Sequence, residues 1–575
     1  MRAPRSVRAA LVVALSVPAF ALAGVGSSVA APPTSTEAVV QYQVRPTSGS
    51  VDALAQRLIA AGFDVYGGGA GSIFVHAPES AGDALAARDD LTVLGEWTVS
   101  RLPDQAAPAN QDAILPARLD GDAYETFYGG YRTNDAFTQF LGDLEAAYPD
   151  LVQVVNYGQS FTGDNPLQVA CVTADADTGC QLTPDVAKTR FLLVGQIHAR
   201  ELTTSEMAWR LLSRLVDGYG QAADVTALLD TTEVWIAPQL NPDGIEAVQT
   251  GIEENGLASS SDAWQRKNLH QRTKTCPGGS SSQIGVDLNR NFDSNWGGPG
   301  TSTNECNLTY RGPVAASEPE TDKLQDLLLS LFEDQRGPDP ADPAPRTTSG
   351  AMISLHSFSN LVLFPYGDSR HTPNDAGLRS MGFRMSHYNG YETGEPDEIL
   401  YQVSGSTDDF AYEQLGIASF TYEIGPGSGN CSGFHPPYTC QDMFWALNDD
   451  ALLYGVAAAR QPYTMALGPT LTGATATPSG ANRAVVAATA NDAAYGQNGV
   501  GRPSAQNVVA GRVFVGGAPG AGGQPKAMTV VGSGTSVTLR KTLPRQATDQ
   551  LVYIQARDAA GNWGPLTAVW LPALG

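Results

Sequence analysis

Through the middle of this chain, short apolar runs stop repeatedly on a polar or charged residue. The run 191–197 stops at His198, 351–355 at His356 and 418–422 at Glu423, while 234–238 leads into Asn241-Pro242-Asp243-Gly244. Runs this short and mostly apolar read as strands, and 191–194, apolar on every residue, as a buried one. Further strands are expected at 151–157 and 167–172. Helical patterns alternate with them at 134–148, from Thr203 to Val216, and at 317–331. Thr203-Thr204-Ser205-Glu206 has capping-box spacing, Ser317-Glu318-Pro319-Glu320 is a helix-start signal, and Asn241 to Gly244 reads as a turn. This alternation predicts an α/β domain over 122–463, built on a mixed, mostly parallel sheet with helices on both faces. Residues at the carboxyl ends of such strands are placed to meet ligands.

The flanks differ. Arg2, Arg5 and Arg8 precede an apolar run at 9–23, and Val29-Ala30-Ala31 offers a small-residue cleavage site, so 1–31 is expected to be a secretory signal peptide. Residues 36–100 alternate strand, helix, strand, helix, strand at 39–44, 51–59, 72–76, 81–87 and 91–99, the order of a small split β-α-β unit. His76, its one histidine, is expected to be structural. Pro103, Pro108 and Pro116 mark 101–121 as a linker, and 333–350, rich in Pro, Asp and Arg, as a surface loop. From 468 to 575, Gly, Thr, Val and Ala dominate short β-like runs, which predicts an all-β, immunoglobulin-like sandwich.

At 575 residues the chain exceeds one ordinary domain. Its formal net charge of −24 argues against phosphate-backbone binding, so no nucleic-acid partner is expected. No later stretch is long and apolar enough to span a bilayer. The six cysteines, Cys171, Cys180, Cys276, Cys306, Cys431 and Cys440, suggest disulfides in an exported protein, most simply between neighbours.

One imidazole and one carboxylate three residues apart, His198 and Glu201, can meet one metal ion, but such a pair alone is weak evidence. The other strand-end residues complete a set. Asp287, Asn289 and Arg290 lie in Gly285-Val286-Asp287-Leu288-Asn289-Arg290-Asn291-Phe292, and Tyr401 opens Tyr401-Gln402-Val403-Ser404-Gly405. In this order the residues resemble the zinc carboxypeptidases of the A/B type, in motif over 190–426 and in order of elements over 122–463. Two imidazoles and one carboxylate also make a three-ligand zinc site with a fourth position open to water.

The resemblance implies one zinc ion per chain, held by His198, Glu201 and His356, with Asp287 behind the first histidine. It implies Glu423 as general base, Arg266 beside the oxyanion, and Arg200, Asn289, Arg290 and Tyr401 as substrate contacts. The family's Trp-Arg-Lys is interrupted here as Trp264-Gln265-Arg266-Lys267, which leaves Lys267 and Arg272 as alternatives to Arg266. Phe358 stands where pancreatic members carry Tyr. Cys276 and Cys306 fall where those members carry a bridge, and 36–100 falls where they carry a prosegment, so a mature start between about 100 and 125 is expected. Counted from Tyr401, the floor of the specificity pocket falls on Asp408, which implies a preference for C-terminal Lys or Arg with residual activity on apolar residues. The whole reading is a secreted, monomeric enzyme acting on peptide or protein C-termini. Competing readings are a zinc peptidase acting on peptidoglycan stem peptides, and an inactive binding or adhesion protein.

Overall fold

A computed structural model describes residues 37–67, 71–99, 114–270, 275–339 and 341–574. The expected signal peptide and residues 101–113 of the expected linker lie outside them. The N-terminal unit contains β1 (Val39–Pro46), α1 (Val51–Ala60), β2 (Asp64–Gly67), β3 (Ile73–Pro78), α2 (Gly82–Ala86) and β4 (Leu91–Thr98). Its sheet has the order β2-β3-β1-β4, antiparallel throughout. Ser50 caps α1 by accepting from the Ala53 amide, and Leu54, Leu58 and Ile59 form its buried stripe. Strand β2 is absent from the sequence reading because four residues are too few to show a period.

A two-stranded ribbon, β5 (Thr126–Phe127) and β6 (Tyr131–Arg132), opens the central domain. There follow α3 (Asn134–Ala147), β7 (Val152–Gln159), β8 (Pro166–Val172), β9 (Thr189–Val194), α4 (Thr203–Gly218), α5 (Ala223–Thr231), β10 (Thr232–Ala237), α6 (Pro242–Asn255) and α7 (Pro319–Leu331). The domain ends with β11 (Ala351–His356), β12 (Leu361–Leu363), α8 (Asp375–Asn389), β13 (Glu392–Gly394), α9 (Pro396–Ile399), α10 (Thr407–Leu415), β14 (Ala418–Glu423), α11 (Cys440–Ala458) and α12 (Pro462–Met465). Eight strands form one sheet in the order β13-β12-β14-β11-β9-β10-β8-β7. Four of its seven strand pairs are parallel, so the sheet is mixed and only narrowly mostly parallel.

Side chains alternate across a strand, and here the two sets enter two different cores. Phe191, Leu193, Ile353 and Leu355 pack with α3, α4, α8 and α11. Leu192, Val194, Trp235 and Met352 pack with α7 and α10. Burial on both faces is why these strands read as continuous apolar runs.

Two local expectations need correction. Asn241-Pro242-Asp243-Gly244 opens α6 instead of making a turn: the Asn241 side chain accepts from the Gly244 amide, and Pro242 occupies the first helical position. Asn-Pro serves a helix start as well as a turn, and Ile245, Val248 and Ile252 behind it supply the buried stripe that decides for a helix. Glu206 does not complete a capping box on α4. Its buried carboxylate instead accepts from the Arg132 amide and side chain and from the Tyr438 hydroxyl.

The C-terminal domain holds β15 (Thr470–Pro478), β16 (Arg483–Asn491), β17 (Val508–Val515), β18 (Gln524–Val531), β19 (Ser536–Pro544), β20 (Gln550–Asp558) and β21 (Thr567–Leu571). The expected two-sheet sandwich is joined into one seven-stranded sheet, β15-β16-β19-β18-β17-β20-β21, because β18 pairs with both β19 and β17. The sheet curls until β15 and β21 touch, enclosing a core that includes Val486, Val513, Leu539 and Ile554. Cys171–Cys180, Cys276–Cys306 and Cys431–Cys440 are bonded, the neighbour pairing expected. No helix among the described residues is long and apolar enough to cross a membrane.

Candidate metal centre and active site

The sheet register assembles the site. His356 ends β11 and lies opposite Glu423, which ends the parallel strand β14. The turn after β9 carries His198 and Glu201 back across the sheet end, pinned where the Ala199 amide donates to the Arg266 carbonyl. Gly285, at φ +90°, lets the Asp287 loop run against Asn268; a Cβ there would stand 1.8 Å from the Asn268 carbonyl oxygen.

His198, Glu201 and His356 are all buried and form the metal-competent group of the described residues. His198 Nδ1 lies 2.7 Å from Glu201 Oε1 and 3.1 Å from His356 Nδ1, and His356 Nδ1 lies 3.2 Å from Glu201 Oε2. The outer nitrogens have other partners: His198 Nε2 is 3.2 Å from Asp287 Oδ1, and His356 Nε2 is 3.1 Å from Ser354 Oγ. Donation from Nε2 leaves both Nδ1 lone pairs facing a carboxylate, three acceptors around one point with no donor among them. That arrangement calls for a cation. Ligands about 2.0–2.1 Å from a tetrahedral zinc stand about 3.3 Å apart, close to the separations here.

Asp287 also holds Arg266, whose Nε and Nη2 donate to its Oδ2 at 3.1 and 3.0 Å. Burial opposes ionisation of Asp287, but Arg266, ahead of His198, holds its carboxyl well below the usual carboxylate range. One aspartate thus orients both a metal ligand and the candidate oxyanion arginine. Arg266 Nη1 reaches to 3.8 Å from Glu201. Lys267, one alternative, points elsewhere, its ammonium donating to the Glu305 and Asn307 carbonyls. Arg272, the other, lies outside the described residues.

A cavity of about 60 Å³ adjoins the three ligands and is lined by Arg266, Asn289, Arg290, Tyr401, Asp408 and Glu423. Burial first, then the nearby Glu201 carboxylate, pushes the Glu423 carboxyl well above its ordinary range. Arg290 is fixed by bonds from Nε to the Gly300 carbonyl and from Nη1 to the Asn289 carbonyl. Asn289 Oδ1 accepts from the Thr407 amide and hydroxyl, which ties the arginine loop to α10. Gly405, at φ +69°, permits that approach, since a Cβ would meet the Arg290 carbonyl oxygen at 2.5 Å. The paired aspartates of α10 separate in role. Asp409 takes the Gly367 amide with both oxygens, while Asp408 faces the cavity, buried and without an ion pair among the described residues. Burial raises its pKa.

Two expected substrate contacts are held by the N-terminal unit. Arg200, fully buried, lies outside the cavity wall: its Nη1 and Nη2 meet the Asp64 carboxylate at 2.8 and 3.0 Å, and Nη2 donates to the Tyr66 hydroxyl at 2.7 Å. The Tyr401 hydroxyl donates to the Val65 carbonyl at 2.8 Å. Tyr66 and Gly67 themselves line the cavity. His76 is buried at this junction, its Nε2 2.9 Å from Gln41 Oε1 and its ring stacked on Phe358. Sequence reasoning missed Asp64 and Tyr66, because no local pattern reveals that a four-residue strand will lie across a site more than a hundred residues away.

A strand-end His-Glu-His triad on a mixed α/β sheet, with an arginine-lined recess beside it, has the composition of a zinc carboxypeptidase centre. The family model described as "Zinc carboxypeptidase" matches residues 137–445, and the chain belongs to that family; its metal is zinc. Over 305 residues the chain is 32% identical to carboxypeptidase A2 of Mus musculus, covering 52% of this chain and 63% of the relative. It is 29% identical over 322 residues to carboxypeptidase A1 of Homo sapiens, covering 55% and 67%. The chain therefore spans less than two thirds of the mouse relative. Among solved structures, carboxypeptidase A from Helicoverpa armigera covers 74% of this chain and 98% of its own, with TM-score 0.58 and 21% identity. Thrombin activatable fibrinolysis inhibitor covers 74% and 98%, with TM-score 0.55 and 22% identity. At these identities the two structures share the fold.

Proposed function

We propose that the chain is a secreted zinc metallocarboxypeptidase that removes C-terminal residues, preferring Lys and Arg. The observation that carries the specificity is Asp408, a buried carboxylate lining the cavity without a cation beside it. A substrate ammonium or guanidinium would supply the missing charge, whereas an apolar side chain would leave a carboxylate unpaired, at several kcal/mol. Arg290 and Asn289 would grip the terminal carboxylate, with Tyr401 closing over it once free of Val65. Zinc held by His198, Glu201 and His356 would lower the pKa of a water there to about 7 and polarise the scissile carbonyl. Glu423 would take the water's proton and return it to the leaving amine, and Arg266 would face the developing negative charge.

The N-terminal unit acts in this reading as an inhibitory propeptide, released by cleavage in the linker. Its support is the occupation of Arg200 and Tyr401 by Asp64, Tyr66 and Val65. The test is kcat/KM on peptides that differ only in C-terminal Arg or Leu, measured on protein cleaved in the linker. Arg should win, and Asp408→Ala should abolish the preference. A tenfold preference for Leu, about 1.4 kcal/mol, would overturn the specificity.

A further inference from the structure

Far from the metal centre, the seam between the central and C-terminal domains encloses a cavity of about 440 Å³ lined by Arg346, Arg460 and Arg512, with Trp563 and Gln555 beside them and no aspartate or glutamate. The chain carries 59 acidic against 35 basic residues, so a cation without an acid beside it is unusual here. Among the described residues, every hydrogen-bond partner of these arginines is neutral. Arg346 Nη2 donates to Asn562 Oδ1 at 3.3 Å, Arg460 Nη2 to the Pro519 carbonyl at 2.7 Å, and Arg512 Nε and Nη2 to Gln555 Oε1 at 3.0 and 2.6 Å. Gln555 is 3% exposed, so the group aiming Arg512 is itself fixed. A fourth arginine, Arg557, stands behind Trp563 with its Nε buried and unpartnered.

Stacking offsets part of this charge: the Arg512 guanidinium lies 3.9 Å from the Trp563 ring centroid and that of Arg557 5.4 Å. It does not remove the repulsion. Burial pulls the pKa of Arg460 down; it does the same at Arg512, where the charges of Arg557 and Arg460 add to the effect. Like charges gathered in a partly desolvated cleft, with most of their N–H groups unengaged by described residues, form a preorganised anion receptor.

We propose that this interdomain cleft binds a phosphate or sulfate group, gripped by Arg346, Arg460 and Arg512. The class follows from the number of donors. A carboxylate offers two oxygens, enough for one guanidinium fork, whereas three guanidiniums lining one cleft suit a tetrahedral oxyanion with three or four. The volume far exceeds the roughly 30 Å³ of one water, so the group can be part of a larger ester. Arg460 and Leu566 also line an adjoining space of about 820 Å³. Asp224 and Asp450 on that side would confine the anionic end to the arginine side.

The test is calorimetry on the full chain at constant ionic strength, with inorganic phosphate, sulfate, glycerol phosphate and tripolyphosphate, and acetate as control. Saturable one-site binding of phosphate or sulfate is expected, with acetate at least about tenfold weaker. Tighter binding of the ester would identify a carrier molecule reaching into the adjoining space, and equal binding a free ion; both sustain the site. Arg460→Gln and Arg512→Gln should each weaken binding about tenfold or more. Arg346 is exposed, so Arg346→Gln keeps the measurement decisive if a buried variant does not fold, and should weaken binding several-fold without lowering Tm. Absence of saturable binding, acetate binding as tightly as phosphate, or unchanged binding in the folded variants would overturn the proposal.

Discussion

Replacing Asp64 with Asn removes the one carboxylate among the described residues that neutralises Arg200, and the structure sets the size of the effect. Arg200 Nη2 donates to Asp64 Oδ1 at 3.0 Å and Nη1 lies 2.8 Å from Oδ2, with Arg200 fully buried and Asp64 4% exposed. While the N-terminal unit is docked, the variant leaves a buried, uncompensated guanidinium. Once the unit lifts away, water solvates Arg200 in both proteins. Removing one partner of a buried pair costs about 3–5 kcal/mol, and here the low end applies. The Tyr66 hydroxyl remains at 2.7 Å, and the Phe434 ring, 4.2 Å from the guanidinium carbon, still faces the cation. About 3 kcal/mol shifts the docked–undocked equilibrium by roughly 150-fold. Uncleaved Asp64→Asn protein should therefore hydrolyse a C-terminal Arg peptide on the order of 100-fold faster than uncleaved wild type, while the two cleaved enzymes match. Hydrogen exchange should show matching deprotection of β2 and of the 401–405 segment. Uncleaved wild type that is already fully active, or an uncleaved variant no faster than wild type, would refute the reasoning.

Other outcomes follow from the same site. His198→Ala or His356→Ala should lose zinc by elemental analysis together with activity, because two ligands hold the ion poorly; full activity in metal-free protein would contradict this. Glu423→Gln should retain zinc and product binding while kcat falls by about 10²–10⁴, and a near wild-type kcat would mean another group moves the proton. Docking of the N-terminal unit should weaken in acid. Burial, with Arg200 and His435 nearby, holds His76 well below its ordinary pKa of 6.5. The docked state thus disfavours its protonation, and the stability contributed by neutral His76 is complete above about pH 6.5 and lost as pH falls toward the depressed value. The Tyr66 hydroxyl faces the same space, and burial pushes its pKa further up, away from the interval between pH 7.5 and 5. Proteolysis of the linker in intact protein should quicken over that interval, and His76→Gln should flatten the dependence. A pH-independent rate would rule the switch out.

Much of this architecture is legible because it is local. Strand β9 is buried on both faces and apolar from Phe191 to Val194, and the chain must turn where it leaves the core, so His198 and Glu201 announce themselves. The same holds for His356 and Glu423. Neighbouring cysteines nine or thirty residues apart can close short loops whatever the rest of the chain does. The local signals fail where one motif serves two conformations. Asn241-Pro242 caps a helix as readily as it makes a turn, and Glu206 has capping spacing but finds Arg132 seventy-four residues away.

What the sequence determined by itself is therefore the α/β frame and a candidate set of ligand, base and arginine side chains, each tied to a strand end or a short motif. Only the tertiary structure decided which groups share a space. It set Arg266 against Asp287 and turned Lys267 to the Glu305 carbonyl, Asp408 to the cavity and Asp409 to the Gly367 amide, and laid Asp64 against Arg200. It also gathered arginines from two domains into one cleft without an acid. The physical reason is the range of the forces involved. Backbone propensity and hydrophobic period act over a few residues and leave a trace in the sequence. Desolvation and charge pairing act through space, between residues whose separation along the chain carries no information about their distance.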